Sequence, residues 1–219
     1  MQRIGVGMTS ALRTHWPVLL LVLLASLTHP LRGHAGEPDR AALLEALRAG
    51  GLVLYFRHAD TGPATLESES MRIGRCDTQR NLNDNGRGQA RAIGTQFRRL
   101  GIPVGQVLSS RFCRCMETAQ LAFGRYEAIQ VLTGVRRGAE FAQARRAASD
   151  GLRRLLSTLP PAGENTVLVS HGFNLIDLEG LYLSTQGEAA IYRPDGRGGY
   201  TLLARVLPEE WATLDAAVP

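Results

Sequence analysis

Two apolar runs of the sequence end at a histidine. The run "LVLYF" is followed directly by Arg57 and His58, and the run "TVLVS" is followed by His171. Short apolar runs of this kind are typical of buried strands, and the carboxyl ends of parallel strands meet at one edge of a sheet. A third run, "QVLSS", leads at the same edge to Arg114. We therefore expect two imidazoles and two guanidinium groups to converge in one crevice.

These four side chains suit the transfer of a phosphoryl group. The planar fork of a guanidinium matches the oxygens of a phosphate, and a neutral imidazole nitrogen can attack phosphorus and hold the phosphoryl group until water removes it. In this scheme one imidazole attacks in its neutral form while His171 favours its charged form beside phosphate. Activity should then fall on both sides of an optimum pH. We expect no cofactor and no metal, because neither histidine has zinc-type spacing and the arginines would repel a cation.

The motifs "RHA", "SSRFCRCMETA" and "VSHG" strongly resemble those of the histidine phosphatase superfamily, which has the phosphoglycerate mutase-like fold. That family combines an Arg-His pair and a small residue, an arginine before a Thr-Ala pair, and a late histidine. The resemblance implies that His58 is the nucleophile, that Arg57 and Arg114 bind phosphate, and that His171 completes the pocket. Thr61 is near enough in sequence to add a hydroxyl contact to the phosphate.

The resemblance spans about residues 52–206 and has two departures from the family pattern. The first motif ends in Ala59 where glycine is more familiar, which is an exchange of one small residue for another. The second departure concerns the general acid, which many members supply as a carboxylate after the third strand. Glu140 lies in that region, and Glu188 and Asp77 compete with it. Without an acid, substrates with good leaving groups or phosphoramidates would be favoured, since leaving-group protonation contributes roughly 10² to 10⁴ in rate.

Strands that alternate with helices predict the fold. We expect the α/β class, as a three-layer α/β/α sandwich with a mainly parallel central sheet, helices on both faces and an antiparallel hairpin near one edge. The predicted strands are "LVLYF", "QVLSS", "AIQVL" and "TVLVS", and the hairpin joins "EAAIYRP" to "YTLLARVLP". The predicted helices are "EPDRAALLEALRAGG", "NDNGRGQARAIGTQFRRLG" with Asn83 as its N-cap, "RFCRCMETAQLAFG", residues 139–159 with Phe141, Ala144, Ala148, Leu152 and Leu155 on one face, and a final turn at "PEEW".

A polar loop, residues 60–82, contains the first of three cysteines, Cys76, Cys113 and Cys115. Loops of this length in compact domains are usually functional or cover something. Cys113 and Cys115 point in different directions on a helix and should not bridge each other. A disulfide from Cys76 to one of them, with Cys113 favoured, would close a loop of about 38 residues. The alternative is three buried free thiols.

The first 35 residues are typical of a secretory signal. They hold three arginines, no acidic residue and the uncharged run "WPVLLLVLLASL", with small residues up to Ala35. That run is shorter than the ~20 apolar residues that a bilayer requires, so we expect a signal cleaved near Ala35, export to the periplasm and a histidine phosphatase-like domain at residues 36–219. The alternatives are an uncleaved membrane anchor and a start at Met8.

Charge argues against a nucleic-acid partner. The net charge of +5 falls to +2 without the three arginines of residues 1–35, and the arginine pairs are spread along predicted helices. A nucleic-acid protein would keep a concentrated basic stripe. The sequence thus predicts an exported, metal-independent phosphohydrolase that cleaves small phosphomonoesters through a phosphohistidine on His58. The alternatives are a non-catalytic phosphate-binding or interaction protein of the same fold and, less favoured, a phosphomutase.

Overall fold

A six-stranded sheet lies at the centre of the domain. The computed structural model describes residues 40–63, 70–135 and 138–216. The sheet has the order β3-β2-β4-β1-β5-β6, in which the first four strands are parallel to one another, β5 pairs antiparallel with β1, and β6 pairs antiparallel with β5. Its strands are β1 (Val53–Arg57), β2 (Val104–Ser109), β3 (Glu127–Ala128), β4 (Asn165–Ser170), β5 (Ala189–Pro194) and β6 (Tyr200–Val206).

Helices cover both faces of this sheet. They are α1 (Arg40–Ala49), α2 (Asp84–Leu100), α3 (Cys113–Phe123), α4 (Ala142–Ser157) and α5 (Asn174–Glu179), with 3₁₀ turns at Cys76–Thr78, Gln130–Leu132, Ala139–Phe141 and Glu210–Thr213. Side chains alternate along β1, so that Leu54 and Phe56 pack with α1, α2 and α3 while Val53 and Tyr55 pack with α4 and α5. The predicted three-layer α/β/α sandwich with an antiparallel hairpin at one edge is therefore confirmed.

The helix α2 follows its sequence pattern closely. The Asn83 side chain accepts a hydrogen bond from the Gly86 backbone N–H at 2.7 Å, as an N-cap does. Its buried positions include Ala90, Ile93 and Phe97, at the predicted spacing of three and four. The N-cap and the buried stripe that we predicted for this segment are confirmed.

Three elements differ from the sequence prediction. The predicted strand "AIQVL" is wrong beyond its first residue, because β3 is only the pair Glu127–Ala128 and a 3₁₀ turn follows at Gln130–Leu132. The chain bends there because Leu132 is drawn into the core beneath β4, where its carbonyl accepts the Ser170 hydroxyl. In α4, Ala144 is exposed and Leu156 takes the fully buried position, so the predicted face is shifted. The short helix α5 had no counterpart in the prediction.

A disulfide joins the long loop to the start of α3. Cys76 and Cys113 are bonded, which confirms the favoured pairing, and Cys115 is a buried free thiol. The Gln79 side chain adds a second link, because its Oε1 accepts the Cys113 backbone N–H at 2.9 Å. The 76–81 part of the loop is thus fixed against α3.

The predicted signal segment, residues 1–35, lies outside the described residues, and its role stays a prediction. Within the described ranges, no helix combines the length and the apolar character that a membrane crossing requires.

A close approach between α2 and α3 generates a stability prediction. A Cβ on Gly94 would lie 2.0 Å from the Ala122 carbonyl oxygen, whereas a Cβ on Gly88 of the same helix would meet nothing within 4 Å. Gly94→Ala should lower the free energy of unfolding by about 1–3 kcal/mol through overpacking. Gly88→Ala should raise it by about 0.5–1 kcal/mol, the usual gain of alanine over glycine in a helix. Urea unfolding of both variants measures this, and equal stabilities would contradict the described packing.

Candidate active site

The register of two parallel strands brings the histidines together. Arg57 of β1 is aligned with Ser170 of β4, and the His58 backbone N–H donates to the Ser170 carbonyl at 2.9 Å. His58 directly follows the carboxyl end of β1, and His171 directly follows the carboxyl end of β4. Their ring centroids are 5.7 Å apart and their planes make an angle of 69°. Both histidines are buried, with an exposed fraction of 2% for His58 and 1% for His171.

His58 is held in one tautomer by its own neighbour. Its Nδ1 lies 2.8 Å from the Ala59 carbonyl oxygen. Because a carbonyl can only accept, Nδ1 carries the proton and Nε2 carries the lone pair. Burial, followed by the charges of Arg114, Arg57 and Arg80, lowers the pKa of His58 to about 3. The ring is therefore neutral at neutral pH, in the form that a nucleophile needs.

His171 sits in a largely aromatic setting. Its Nε2 lies 2.9 Å from the Ser110 hydroxyl, the Phe173 ring stacks on it at a centroid distance of 5.4 Å, and the Phe112 ring meets it edge-on at 5.0 Å. Burial and then the charge of Arg114 lower the pKa of His171 well below its usual range. The charged form expected from the sequence is thus disfavoured by the protein itself. Protonation of this ring requires negative charge beside it.

Arg57 points its guanidinium toward the segment that follows α5. Its Nη1 donates to the Leu183 carbonyl at 3.0 Å and to the Ser184 carbonyl, and the group lies 5.8 Å from the centroid of the Tyr182 ring. Within the described part of the chain, Nε and Nη2 of Arg57 make no hydrogen bond, so they are available to an anion. A Cβ on Gly172 would lie 2.3 Å from the Leu183 carbonyl oxygen, so glycine is required where this segment passes His171.

Arg114 is placed by the first turn of α3. Its guanidinium carbon lies 4.3 Å from the centroid of the Phe112 ring, and only 4% of the residue is exposed. The Thr118 hydroxyl donates to the Arg114 carbonyl at 2.7 Å and accepts the Ala59 backbone N–H at 3.0 Å. Thr118 therefore ties the arginine helix to the residue after His58. This bridge explains why a threonine stands four positions after the arginine in the sequence motif.

Thr61 is engaged elsewhere. Its hydroxyl donates to the Gln186 side-chain oxygen at 2.7 Å, and its backbone N–H donates to the same oxygen at 2.8 Å. Since the hydroxyl has one proton, it has none left to donate to a phosphate in this arrangement. The phosphate contact of Thr61 stays a prediction.

Two of the three candidate acids are held by ion pairs. Glu188 is buried and its Oε1 lies 2.7 Å from Nε of Arg205. Asp77 is paired with Arg75 at 2.8 Å, and this hydrogen-bonded pair lowers the pKa of Asp77. A carboxylate in an ion pair is a poor proton donor, because the partner charge favours the ionised form. Glu140 is exposed just before α4, and no described residue forms an ion pair with it.

Two site residues escaped the sequence analysis. Ser110, which contacts His171, lies inside the quoted motif "SSRFCRCMETA", but nothing in the residue types distinguishes it from Ser109. Arg80 lies in the long loop, yet its charge contributes to lowering the pKa of both His58 and His171. Only the path of the loop in three dimensions brings Arg80 to the site.

Part of the chain matches a known protein family. Residues 53–136 match the family model of the histidine phosphatase superfamily (branch 1), a match that includes Arg57, His58 and Arg114. This stretch of the chain is similar to that superfamily, and the match ends before α4 and β4. His171 lies beyond the matched residues, and the strand register supplies it. No curated protein matches the chain in sequence.

Solved structures share the fold at low sequence identity. The protein histidine phosphatase SixA complexed with tungstate is similar, with a TM-score of 0.50, 20% identity, and coverage of 73% of this chain and 98% of that one. Bacillus stearothermophilus YhfR is similar with a TM-score of 0.50, 17% identity, and coverage of 70% and 95%. The alpha-ribazole phosphatase from Shigella flexneri has a TM-score of 0.48, 16% identity, and coverage of 72% and 96%.

The buried neutral histidines predict an acid-sensitive fold. The unfolded chain binds protons on both rings below a pKa of 6.5, while the folded chain leaves His58 neutral down to about 3. The contribution of these histidines to the free energy of unfolding is therefore fully present above pH 6.5 and is lost as the pH falls below that value. Each histidine should contribute a slope of about 1.4 kcal/mol per pH unit.

This slope is measured by urea unfolding at several pH values from about 6 to 4.5, below the unfolded pKa of histidine. His58→Gln, which cannot titrate, should remove about one histidine's share of the slope. His171→Gln is the matched control and should remove a similar share. A slope that neither substitution changes would contradict the buried neutral state of the rings.

Proposed function

We propose that this protein is a phosphohydrolase that cleaves small phosphomonoesters through a phosphohistidine intermediate on His58. We further propose that it acts without a metal, in the periplasm, after export. The family-model match over residues 53–136 and the phosphatases among the similar solved structures support phosphatase activity in general. The specific proposal rests on the lone pair of one neutral imidazole standing among guanidinium groups.

The observation that carries this proposal is the tautomer of His58. The hydrogen bond from Nδ1 to the Ala59 carbonyl at 2.8 Å leaves the lone pair on Nε2. Once Nε2 bonds to phosphorus, the ring gains positive charge, and the same carbonyl stabilises that charge through the Nδ1 proton. The group is thus arranged both to attack and to hold the phosphoryl group.

The reaction has two displacements at phosphorus. First, Nε2 of His58 forms a bond to phosphorus while the ester P–O bond breaks, and the leaving alcohol takes up a proton. Then a water molecule attacks the phosphohistidine, the P–N bond breaks, and phosphate leaves with the neutral imidazole restored. Arg57 and Arg114 would stabilise the charge on the oxygens in both steps. The negative charge of the substrate would also favour a proton on His171.

Glu140 is the proposed proton donor to the leaving group. Of the three candidates, Glu188 and Asp77 are engaged by Arg205 and Arg75. Glu140 has no such pair among the described residues, and it lies after β3 on the turn that opens α4.

Operation without a metal and export are supported by separate features. The main charged influences on both histidines are arginines, which would repel a cation from the site. The Cys76–Cys113 disulfide suits an oxidising compartment such as the periplasm. The signal-like composition of residues 1–35 agrees with the same location.

Labelling tests the intermediate. Incubation with a ³²P-labelled phosphomonoester followed by rapid denaturation should trap label on the protein that is stable in alkali and lost in acid. His58→Ala should abolish both the label and turnover. Arg111→Gln, an exposed arginine that contacts Gln130, is the matched control and should keep both. If the wild type binds phosphate but forms no label and no product, the non-catalytic alternative is correct.

The leaving group tests the acid. Glu140→Gln should lower kcat for alkyl phosphates by roughly 10²-fold or more, because the alkoxide must then leave without a proton. Its effect on an aryl phosphate such as p-nitrophenyl phosphate should be small, since that leaving group is already stable as an anion. Glu188→Gln and Asp77→Asn serve as comparisons. A selective alkyl defect in either of those variants and not in Glu140→Gln would reassign the acid.

A further inference from the structure

The long loop delivers a third guanidinium to the histidines. Arg80 lies on the part of the loop that is fixed against α3, and its backbone carbonyl accepts Nη1 of Arg114 at 3.3 Å. Nε and Nη1 of Arg80 are shielded from solvent. Its charge acts on both His58 and His171, as the charge of Arg114 does.

The position of Arg80 is fixed from both sides. On one side, the Cys76–Cys113 disulfide joins the loop to α3. Next to Arg80, Gln79 Oε1 accepts the Cys113 backbone N–H at 2.9 Å, and 8% of Gln79 is exposed. On the other side, Asn81 Nδ2 donates to the Cys76 carbonyl at 2.6 Å. We refer to these three links as the loop clamp.

The charge of the site fits a doubly charged oxyanion. Arg57, Arg80 and Arg114 contribute three positive charges around two neutral rings. A phosphoryl group carries about two negative charges near neutral pH, and its three equatorial oxygens share the charge that develops during transfer. Three guanidinium groups can then each donate to a different oxygen.

We propose that Arg80 is a third phosphate-binding residue of this site and that the loop clamp positions it beside Arg114. This inference deepens the proposed function and rests on it for the identity of the bound group. Arg80 would act on the substrate directly, by donating to an oxygen of the phosphoryl group. The Cys76–Cys113 disulfide would act through Arg80, as a positioning element outside the reaction itself.

Tungstate binding to the purified protein tests Arg80 without requiring turnover. Arg80→Gln should raise the Kd for tungstate by about 10- to 100-fold, the usual effect of losing a charge-assisted hydrogen bond. Arg75→Gln is the matched control, because Arg75 lies in the same loop but is exposed and paired with Asp77. It should stay within about twofold of the wild type. Isothermal titration calorimetry measures both.

Two further measurements distinguish direct phosphate binding by Arg80 from a purely structural role of this residue. In Arg80→Gln, imidazole NMR signals of His58 and His171 should titrate at higher pH, since one positive charge is gone, whereas Arg80→Lys should leave them near their original values. Arg80→Lys should still bind tungstate about fivefold or more weakly, because an ammonium lacks the planar fork. This variant decides the matter if Arg80→Gln does not fold.

The clamp is tested by combining substitutions. Cys76→Ser should weaken tungstate binding in the wild-type background and should have less effect in Arg80→Gln, because both changes act through one guanidinium. An equal effect in both backgrounds would overturn the positioning role of the disulfide. Tungstate binding by Arg80→Gln and Arg80→Lys that equals the wild type, while Arg114→Gln loses it, would overturn the proposal for Arg80. Arg80-dependent tungstate binding without any phosphohistidine would support this inference and reject the proposed hydrolase.

Discussion

The parallel pairing of β1 with β4 is the constraint on which the site depends. One register, with Arg57 opposite Ser170, decides that His58 and His171 leave the sheet side by side. A shift of one residue would send one of the rings to the opposite face, since side chains alternate along a strand. The packed alternation of Leu54 and Phe56 against one helical layer makes that shift costly. The core of the domain therefore fixes the chemistry at its edge.

Burial then determines the protonation of the site. The two imidazoles are enclosed by aromatic rings and arginines, and both remain neutral because burial and the arginine charges lower their pKa values. The positive charge of the site is therefore carried by the arginines. In the proposed reaction, Arg57 and Arg114 would stabilise the negative charge of the phosphoryl group during its transfer.

The amino-acid sequence predicts the strands and the residues that end them, because apolar runs and flanking polar residues are local signals. It predicts Asn83 as a cap for the same reason, and it favours a disulfide from Cys76 to Cys113 over one to Cys115. It did not predict the contribution of Arg80, whose position depends on a disulfide and a side-chain cap that join residues far apart in the chain. Nor did it predict the shortness of β3, where burial of Leu132 outweighs the strand propensity of its neighbours.

The hydrogen bond from His58 to the carbonyl of Ala59 has a consequence for how this scaffold can diversify. The proposed nucleophile, His58, is oriented by the adjacent residue of its own chain, so its lone pair does not depend on any distant loop. Insertions, deletions and new cross-links in the surrounding segments can therefore change which substrates bind while the orientation of the His58 ring is kept. An evolving lineage could exchange substrates without having to reinvent the reaction.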